Sequence, residues 1–169
     1  MTINSSPTPS PGPELPAPLT VWLSYLLRQA TLRAQDNVAE ALAAAALRPP
    51  HNAVLTMLAE GPLSQVTLSA RLQTDRTTMV AIIDELEAWQ LVERRRNPAD
   101  RRVHDVTLTT VGAERLAVAH AAVFAADDIF FAALSDAERT QLRAMLLRLI
   151  AAHDAIPLSP TEVAPTAPR

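Results

Sequence analysis

The chain has 169 residues with no cysteine, no lysine and only three glycines. Without cysteine there is no disulfide, no thiol switch and no Cys-based zinc site. Three scattered glycines cannot build a glycine-rich phosphate loop, and neither a nucleophile elbow nor a paired-acid site is visible, so no enzyme is expected. The longest uninterrupted apolar run, Ala41 to Leu47, falls far short of the ~20 residues a membrane span requires. The first residues also lack the basic start and apolar core of a signal peptide. The four histidines, His51, His104, His120 and His153, include no pair spaced i, i+4, so no metal site or other cofactor is expected. With 49% hydrophobic residues, these absences describe one soluble cytoplasmic domain of moderate size with no membrane partner.

Met1 to Pro18 hold six prolines among Ser and Thr, and Pro157 to Arg169 hold four more, so residues 1–18 and 156–169 are expected to be disordered tails. Leu19 to Leu47 is predicted as one long helix of roughly 40 Å, with Trp22, Leu23, Leu26, Leu27, Val38, Leu42 and Ala45 available for burial. Pro49 and Pro50 end it and open a helix holding Val54, Leu55 and Leu58, which stops at Gly61 and Pro62.

The stretch from Leu63 to Thr109 organises the rest. Ser64 is a suitable N-cap for a short helix offering Leu68, Ala70 and Leu72 as its apolar face. After a break at Thr74 and Asp75, either of which can cap, Met79, Ile82, Ile83 and Leu86 recur at steps of three and four, the period of a helix buried on one side. Its opposite face carries Thr77, Thr78, Ala81 and Asp84. Leu91 and Val92 then open a strand, and Val106 and Leu108 mark the inward face of another. Between the strands lie Arg94, Arg95, Arg96, Arg101 and Arg102 against a single acid, Asp100. Asn97 to Asp100 fits a type I turn, with Asn at the first position and Pro at the second. Asp100 is expected to hold Arg94 or Arg102 by an ion pair. The order of elements is that of a winged helix-turn-helix, whose second helix enters the DNA major groove while an arginine-tipped hairpin reaches the minor groove.

A net charge of −3 argues against nucleic acid until its distribution is considered. The hairpin arginines and Asp100 together net +4, while the segments outside Arg71 to Asp105 carry eleven acids against eight arginines. A local basic finger suffices for phosphate contact, because screening limits exposed charges to a reach of about 10 Å at ~0.1 M salt.

Past the hairpin, Thr109 or Thr110 caps a helix in which Leu116, Val123 and Phe130 share a face. Ser135 to Glu138 forms a capping box ahead of Leu142, Met145, Leu146, Leu149 and Ile150. Helices from both chain ends thus present more apolar surface than one subunit can bury, and a C2 homodimer is the expected answer.

Leu86, the Leu91-Val92-Glu93-Arg94 run, Asp100-Arg101-Arg102 and the Leu108, Thr109 and Gly112 pattern together resemble the multiple-antibiotic-resistance regulator (MarR) family over roughly Leu19 to His153. The resemblance implies a mainly α (α+β) fold: a winged helix-turn-helix with a two-stranded wing over 49–109, plus a helical dimerisation region from 19–48 and 110–155. It implies a DNA-binding repressor that leaves a pseudo-palindromic operator when a small aromatic or phenolic effector binds. Ser64, Arg76, Thr77, Thr78, Ala81, Arg94, Arg95, Arg96, Arg101 and Arg102 are the expected DNA-binding residues, with Ala81 against a thymine methyl. Trp22, Tyr25, Arg28 and His51 are the candidates for an effector cleft, an aromatic wall with one cation. The chain departs from the family at Gln90, where glycine is usual, and at Val80 and Ala81, where a hydroxyl and a basic residue are usual. Two alternatives stay open at this point: a winged-helix module that binds an acidic protein partner, and a metal-responsive repressor of the same fold.

Overall fold

The computed structural model describes residues 15–96 and 104–154. The expected wing turn at Asn97 to Asp100, together with Arg101 and Arg102, lies outside the described residues, as do the tails up to residue 14 and from residue 155. The elements run α1 (Leu23–Ala43), α2 (Pro49–Leu58), β1 (Leu63–Ser64), α3 (Gln65–Arg71), α4 (Arg76–Ala88), β2 (Val92–Arg96), β3 (His104–Leu108), α5 (Thr110–Phe130) and α6 (Asp136–Asp154). Contacts group the residues into one unit up to Asp127 and another from Asp128. Among the described residues no helix is long and apolar enough to cross a membrane.

The first helix is shorter than Leu19 to Leu47 suggests. Pro16 and Pro18 frame a 3-10 turn at Ala17–Leu19 that Thr20 closes by donating its hydroxyl to the Ala17 carbonyl at 2.8 Å. Trp22, with extended backbone, is the N-cap of α1. At the far end Pro49 disfavours helical backbone at Arg48, which is extended at φ −108° and ψ 159°. The chain therefore closes α1 early: Ala46 turns left-handed at φ 51° and the Leu47 amide reaches back to the Leu42 carbonyl at 3.1 Å. This geometry tucks Leu42, Ala45 and Leu47 into the core.

The core belongs to the first unit. Val54, Leu55 and Leu58 of α2, Leu68 of α3, Met79, Ile82, Ile83 and Leu86 of α4, and Leu91, Val92 and Val106 of the sheet form one cluster with Leu116 and Ala119 of α5. The apolar period read along α4 is therefore its buried face. On α3 the buried face differs from the expected one: Leu68 is buried and Leu72 half-buried, but Ala70 is exposed and Ser69 is buried in its place. At about 100° per residue, Ala70 lies some 200° round the helix from Leu68 and cannot share its face.

The sheet has three strands in the order β1-β3-β2, all antiparallel. The hairpin pairs Val92 with Leu108, Arg94 with Val106 and Arg96 with His104. On the other edge of β3, Leu63 pairs with Val106 and Ser64 with Asp105. This third strand, only two residues long, adds to the expected two-stranded wing and ties the hairpin to the start of α3.

Gly112, in the first turn of α5, lies where a side chain could not. A Cβ there would stand 2.0 Å from the Leu91 carbonyl oxygen and 2.8 Å from Leu108 Cδ1. Thr109 sets this approach, since its hydroxyl oxygen caps the Gly112 amide at 2.9 Å and the hydroxyl donates to the Gln90 carbonyl at 2.7 Å. Gln90 itself is left-handed at φ 59°, the conformation for which glycine is the usual choice.

In the second unit the expected capping box is present, with the Ser135 amide donating to Glu138 Oε2 at 2.8 Å and the Ser135 hydroxyl to the same oxygen at 2.7 Å. Arg139 donates to the Phe131 and Leu134 carbonyls and to Asp128, closing the turn into α6. Along α6 Leu142 and Leu146 are half-buried, while Met145, Leu149 and Ile150 are exposed.

Candidate nucleic-acid interface

Helix α4 is held at both ends by side chains suited to that work. Asp75, its N-cap, accepts from the Thr78 amide at 2.9 Å and from the Thr78 hydroxyl at 2.6 Å. These bonds from Thr78 hold the Asp75 carboxyl below its usual pKa. One helix earlier Ser64 caps α3 by accepting from the Thr67 amide at 3.1 Å and bonds the Thr67 hydroxyl at 2.9 Å. Two hydroxyls expected to touch DNA are thus engaged in caps.

The outward face of α4 carries Thr77, Ala81 and Asp84, flanked by Arg76 and Val80, all exposed. Among the described residues, the Arg76 and Thr77 side chains have no hydrogen-bond or ion-pair partner within the chain. They are available to a ligand from outside.

Arg94 behaves differently from the other described arginines of the hairpin. It starts on β2 and turns inward, with only 23% of its side chain exposed, to pair with Asp84 and Glu87 of α4. Its backbone amide also donates to Glu87 Oε1 at 3.2 Å. The Gln65 amide lies against the same guanidinium; with its oxygen turned inward it accepts from Arg94 Nε at 2.9 Å and Nη2 at 3.0 Å. Arg94 therefore joins the wing to both helices of the helix-turn-helix. The pairing with Asp100 expected from sequence lies outside the described residues. Nothing local in the sequence marks Gln65, Asp84 and Glu87 as partners of Arg94, because the contact crosses from strand to helix. Arg95 is exposed and pairs with Glu93 at 2.5 Å, and Arg96 is exposed at the end of β2.

Behind α4 a second polar cluster ties it to α2. The Glu85 carboxylate accepts from Arg48 Nη2 at 2.5 Å and lies 3.1 Å from His51 Nε2. The Arg48 backbone amide donates to His51 Nδ1 at 3.2 Å, so that nitrogen carries no proton and Nε2–H is the donor to Glu85. Trp89 meets the imidazole edge-on at 4.8 Å between centroids. The side chain of His51 is 0% exposed. Burial, and then the neighbouring Arg48 charge, push its pKa below the ordinary histidine value, against the smaller pull of Glu85. His51, one of the residues expected in an effector cleft, is here buried, caps α2 and braces α4.

The other cleft candidates lie at the start of α1: Trp22 and Arg28 exposed, Tyr25 half-buried. Further along α1 an open recess of about 280 Å³ is lined by Thr31, Ala34, Gln35, Val38 and Pro49. A second, of about 270 Å³, lies between α2, the end of α3 and α4, against Pro50, Leu72, Thr74 and Met79. Among the described residues no three His, Asp or Glu side chains gather as metal ligands.

Comparison with known proteins places this geometry. A family model described as MarR family matches residues 47–103. The HTH-type transcriptional regulator YdcH of Bacillus subtilis strain 168 is 33% identical over 134 residues, 76% of this chain and 83% of that protein. A Thauera aromatica protein named for regulating the hcr operon is 38% identical over 97 residues, 57% of this chain, but the match spans only 58% of that protein's length. Among solved structures, the transcriptional repressor CouR bound to a 23-mer DNA duplex superimposes with a TM-score of 0.74 at 32% identity, covering 82% of this chain and 99% of that one. CouR from Rhodococcus jostii RHA1 bound to p-coumaroyl-CoA gives 0.70 at 28% identity, covering 78% and 93%.

Proposed function

The chain belongs to the MarR family, and on that premise we propose that it is a homodimeric repressor that grips a pseudo-palindromic DNA operator and releases it when a small aromatic or phenolic molecule binds. One observation carries the reading: an exposed recognition helix, with Arg76 and Thr77 unengaged among the described residues, stands beside an arginine-bearing hairpin on a lobe that matches a repressor solved on DNA. Arg76 and Thr77 enter the major groove, while Arg95, Arg96, Arg101 and Arg102 serve phosphates and the minor groove.

The dimer is supported by exposed apolar residues on each unit: Trp22, Leu23 and Leu27 at the start of α1, and Leu147 and Ile150 on α6. Segments 19–48 and 110–155 form the dimerisation region in this reading, and 49–109 the DNA-binding lobe. A two-fold dimer would set its recognition helices roughly 34 Å apart, one turn of duplex. The effector cleft is assigned to Trp22, Tyr25 and Arg28, whose rings and cation suit an aromatic acid or its thioester; p-coumaroyl-CoA, the ligand of CouR, is the first probe. The site of action is the cytoplasm.

The experiment is a mobility shift at moderate salt with the DNA upstream of the protein's own gene, with p-coumaroyl-CoA added in a second series. A shift whose salt slope falls by roughly 0.9 for each phosphate-bound arginine removed at Arg101 and Arg102 is expected. No shift, or an unchanged slope after removing both, contradicts the assignment.

A further inference from the structure

We infer that Val80 and Ala81 set the operator specificity of this protein, and that what they read is the C5 methyl group of thymine. The inference rests on the DNA-binding reading above and names the chemistry at its centre.

Successive helix residues turn by about 100°, so Thr77, Ala81 and Asp84 form the centre of the α4 face opposite the buried Met79, Ile82, Ile83 and Leu86. Val80 borders that centre on the side from which Arg94 reaches across, and it is 41% exposed. Every polar side chain of α4 after Thr77 is engaged within the protein. The Thr78 hydroxyl is donated to Asp75. Asp84 and Glu87 are held by Arg94, and Glu85 is held by Arg48 and His51. Past the first turn, then, the helix offers DNA two aliphatic groups and no side-chain donor, and each of its carboxylates is tied to a cation of the protein.

In the major groove each base pair presents hydrogen-bonding groups, and the thymine methyl is the apolar feature of the unmodified bases. An aliphatic pair packed on a cytosine amino group or a guanine O6 strips water from that group and returns no bond, which penalises G·C at this position. A thymine methyl gains from the same contact, because its apolar surface leaves water. Arg76 and Thr77, one turn earlier, retain polar contact with the neighbouring base pairs or phosphates. The selected feature is a methyl at C5 rather than the pairing edge of the base, so 5-methylcytosine should partly substitute for thymine where cytosine cannot.

The test uses the full-length protein and a duplex enriched by it from a random-sequence pool. Thymines of the half-sites are replaced by deoxyuridine, one symmetric pair at a time, which deletes the methyl and leaves the pairing intact. At one or two positions per half-site affinity should fall about four-fold for each methyl lost, hence about fifteen-fold for the symmetric pair. At the same positions a cytosine duplex should bind more weakly than its 5-methylcytosine counterpart. In V80A and A81S, both at exposed positions, the deoxyuridine penalty should shrink toward none, while thermal melting confirms the folded state. A duplex bound equally well with uridine at every half-site thymine overturns this inference and leaves the DNA-binding reading intact. A penalty that persists unchanged in V80A and A81S overturns it in the same way. Failure to enrich any duplex overturns both.

Discussion

Removing the Arg94 guanidinium distinguishes a positioning residue from a DNA ligand. In the folded protein Arg94 is 23% exposed, while its partners Asp84 and Glu87 keep 58% and 40% exposure. At such exposure each ion pair contributes ~0.2–1 kcal/mol, so R94A should cost about 1 kcal/mol of stability, a fall in Tm of roughly 2–4 °C for a chain of this size. The larger consequence falls on DNA affinity. Two carboxylates on the recognition helix lose their counter-charge, and each, at ~7 Å from a phosphate in water, adds about 0.6 kcal/mol of repulsion, or about half that at ~0.1 M salt. Together, over both subunits of the dimer, they weaken binding roughly eight-fold at ~0.1 M salt and about sixty-fold at low salt. The informative comparison is the triple variant R94A/D84N/E87Q, measured by fluorescence anisotropy on the same duplex. If Arg94 serves to hold and mask the two acids, neutralising them restores most of the lost affinity. If it grips a phosphate instead, the triple variant binds no better than R94A, and the masking role is refuted.

Three further outcomes are expected. G112A should lose ~3 kcal/mol or more, seen as a Tm drop of about 6–12 °C, because its Cβ would meet a backbone carbonyl that Thr109 also holds; a drop under about 2 °C would show that the α5 start can shift. Q90G should exceed Q90A in urea stability by about 1 kcal/mol, since both lack the side chain and only glycine adopts φ 59° without strain. His51 has its folded pKa below the unfolded one, so stability is full above about pH 6.5 and declines as pH falls through the lower folded value. Glu85, held below its ordinary value chiefly by the Arg48 bond, adds a further loss below about pH 4.5. Urea midpoints at pH 7.5 and 5.5 should therefore differ in the native protein and converge in His51→Asn.

The parts of the fold legible in the sequence are those written in local signals. Ser64, Asp75 and the Ser135–Glu138 pair announce helix starts because capping needs particular atoms at fixed offsets. Met79, Ile82, Ile83 and Leu86 announce a buried face because burial follows helical period. Other features depend on distant partners. Strand β1 is two residues long, too short for any alternation, and exists because Val106 has a free edge to pair. The left-handed turn at Ala46 carries no turn residue and is imposed from Pro49. In the site, Asp75 and Thr78 are both legible as polar residues of the right kind, but the sequence does not say that the hydroxyl is given to the cap before it can be offered to a base. Arg94 resembles its neighbours in a basic run; the pleat of β2 and the acids on α4 set it apart.

Strand β3 has consequences beyond its length. It is flanked on one side by the strand that leads into α3 and on the other by the arm that Arg94 bolts to α4. A head built this way has no internal joint: helix pair and hairpin arm keep a fixed spacing, like the two points of a locked pair of dividers. Sequence changes that alter the spacing between helix pair and arm must therefore pass through Arg94 or β3, so these few residues govern the geometry of the whole head.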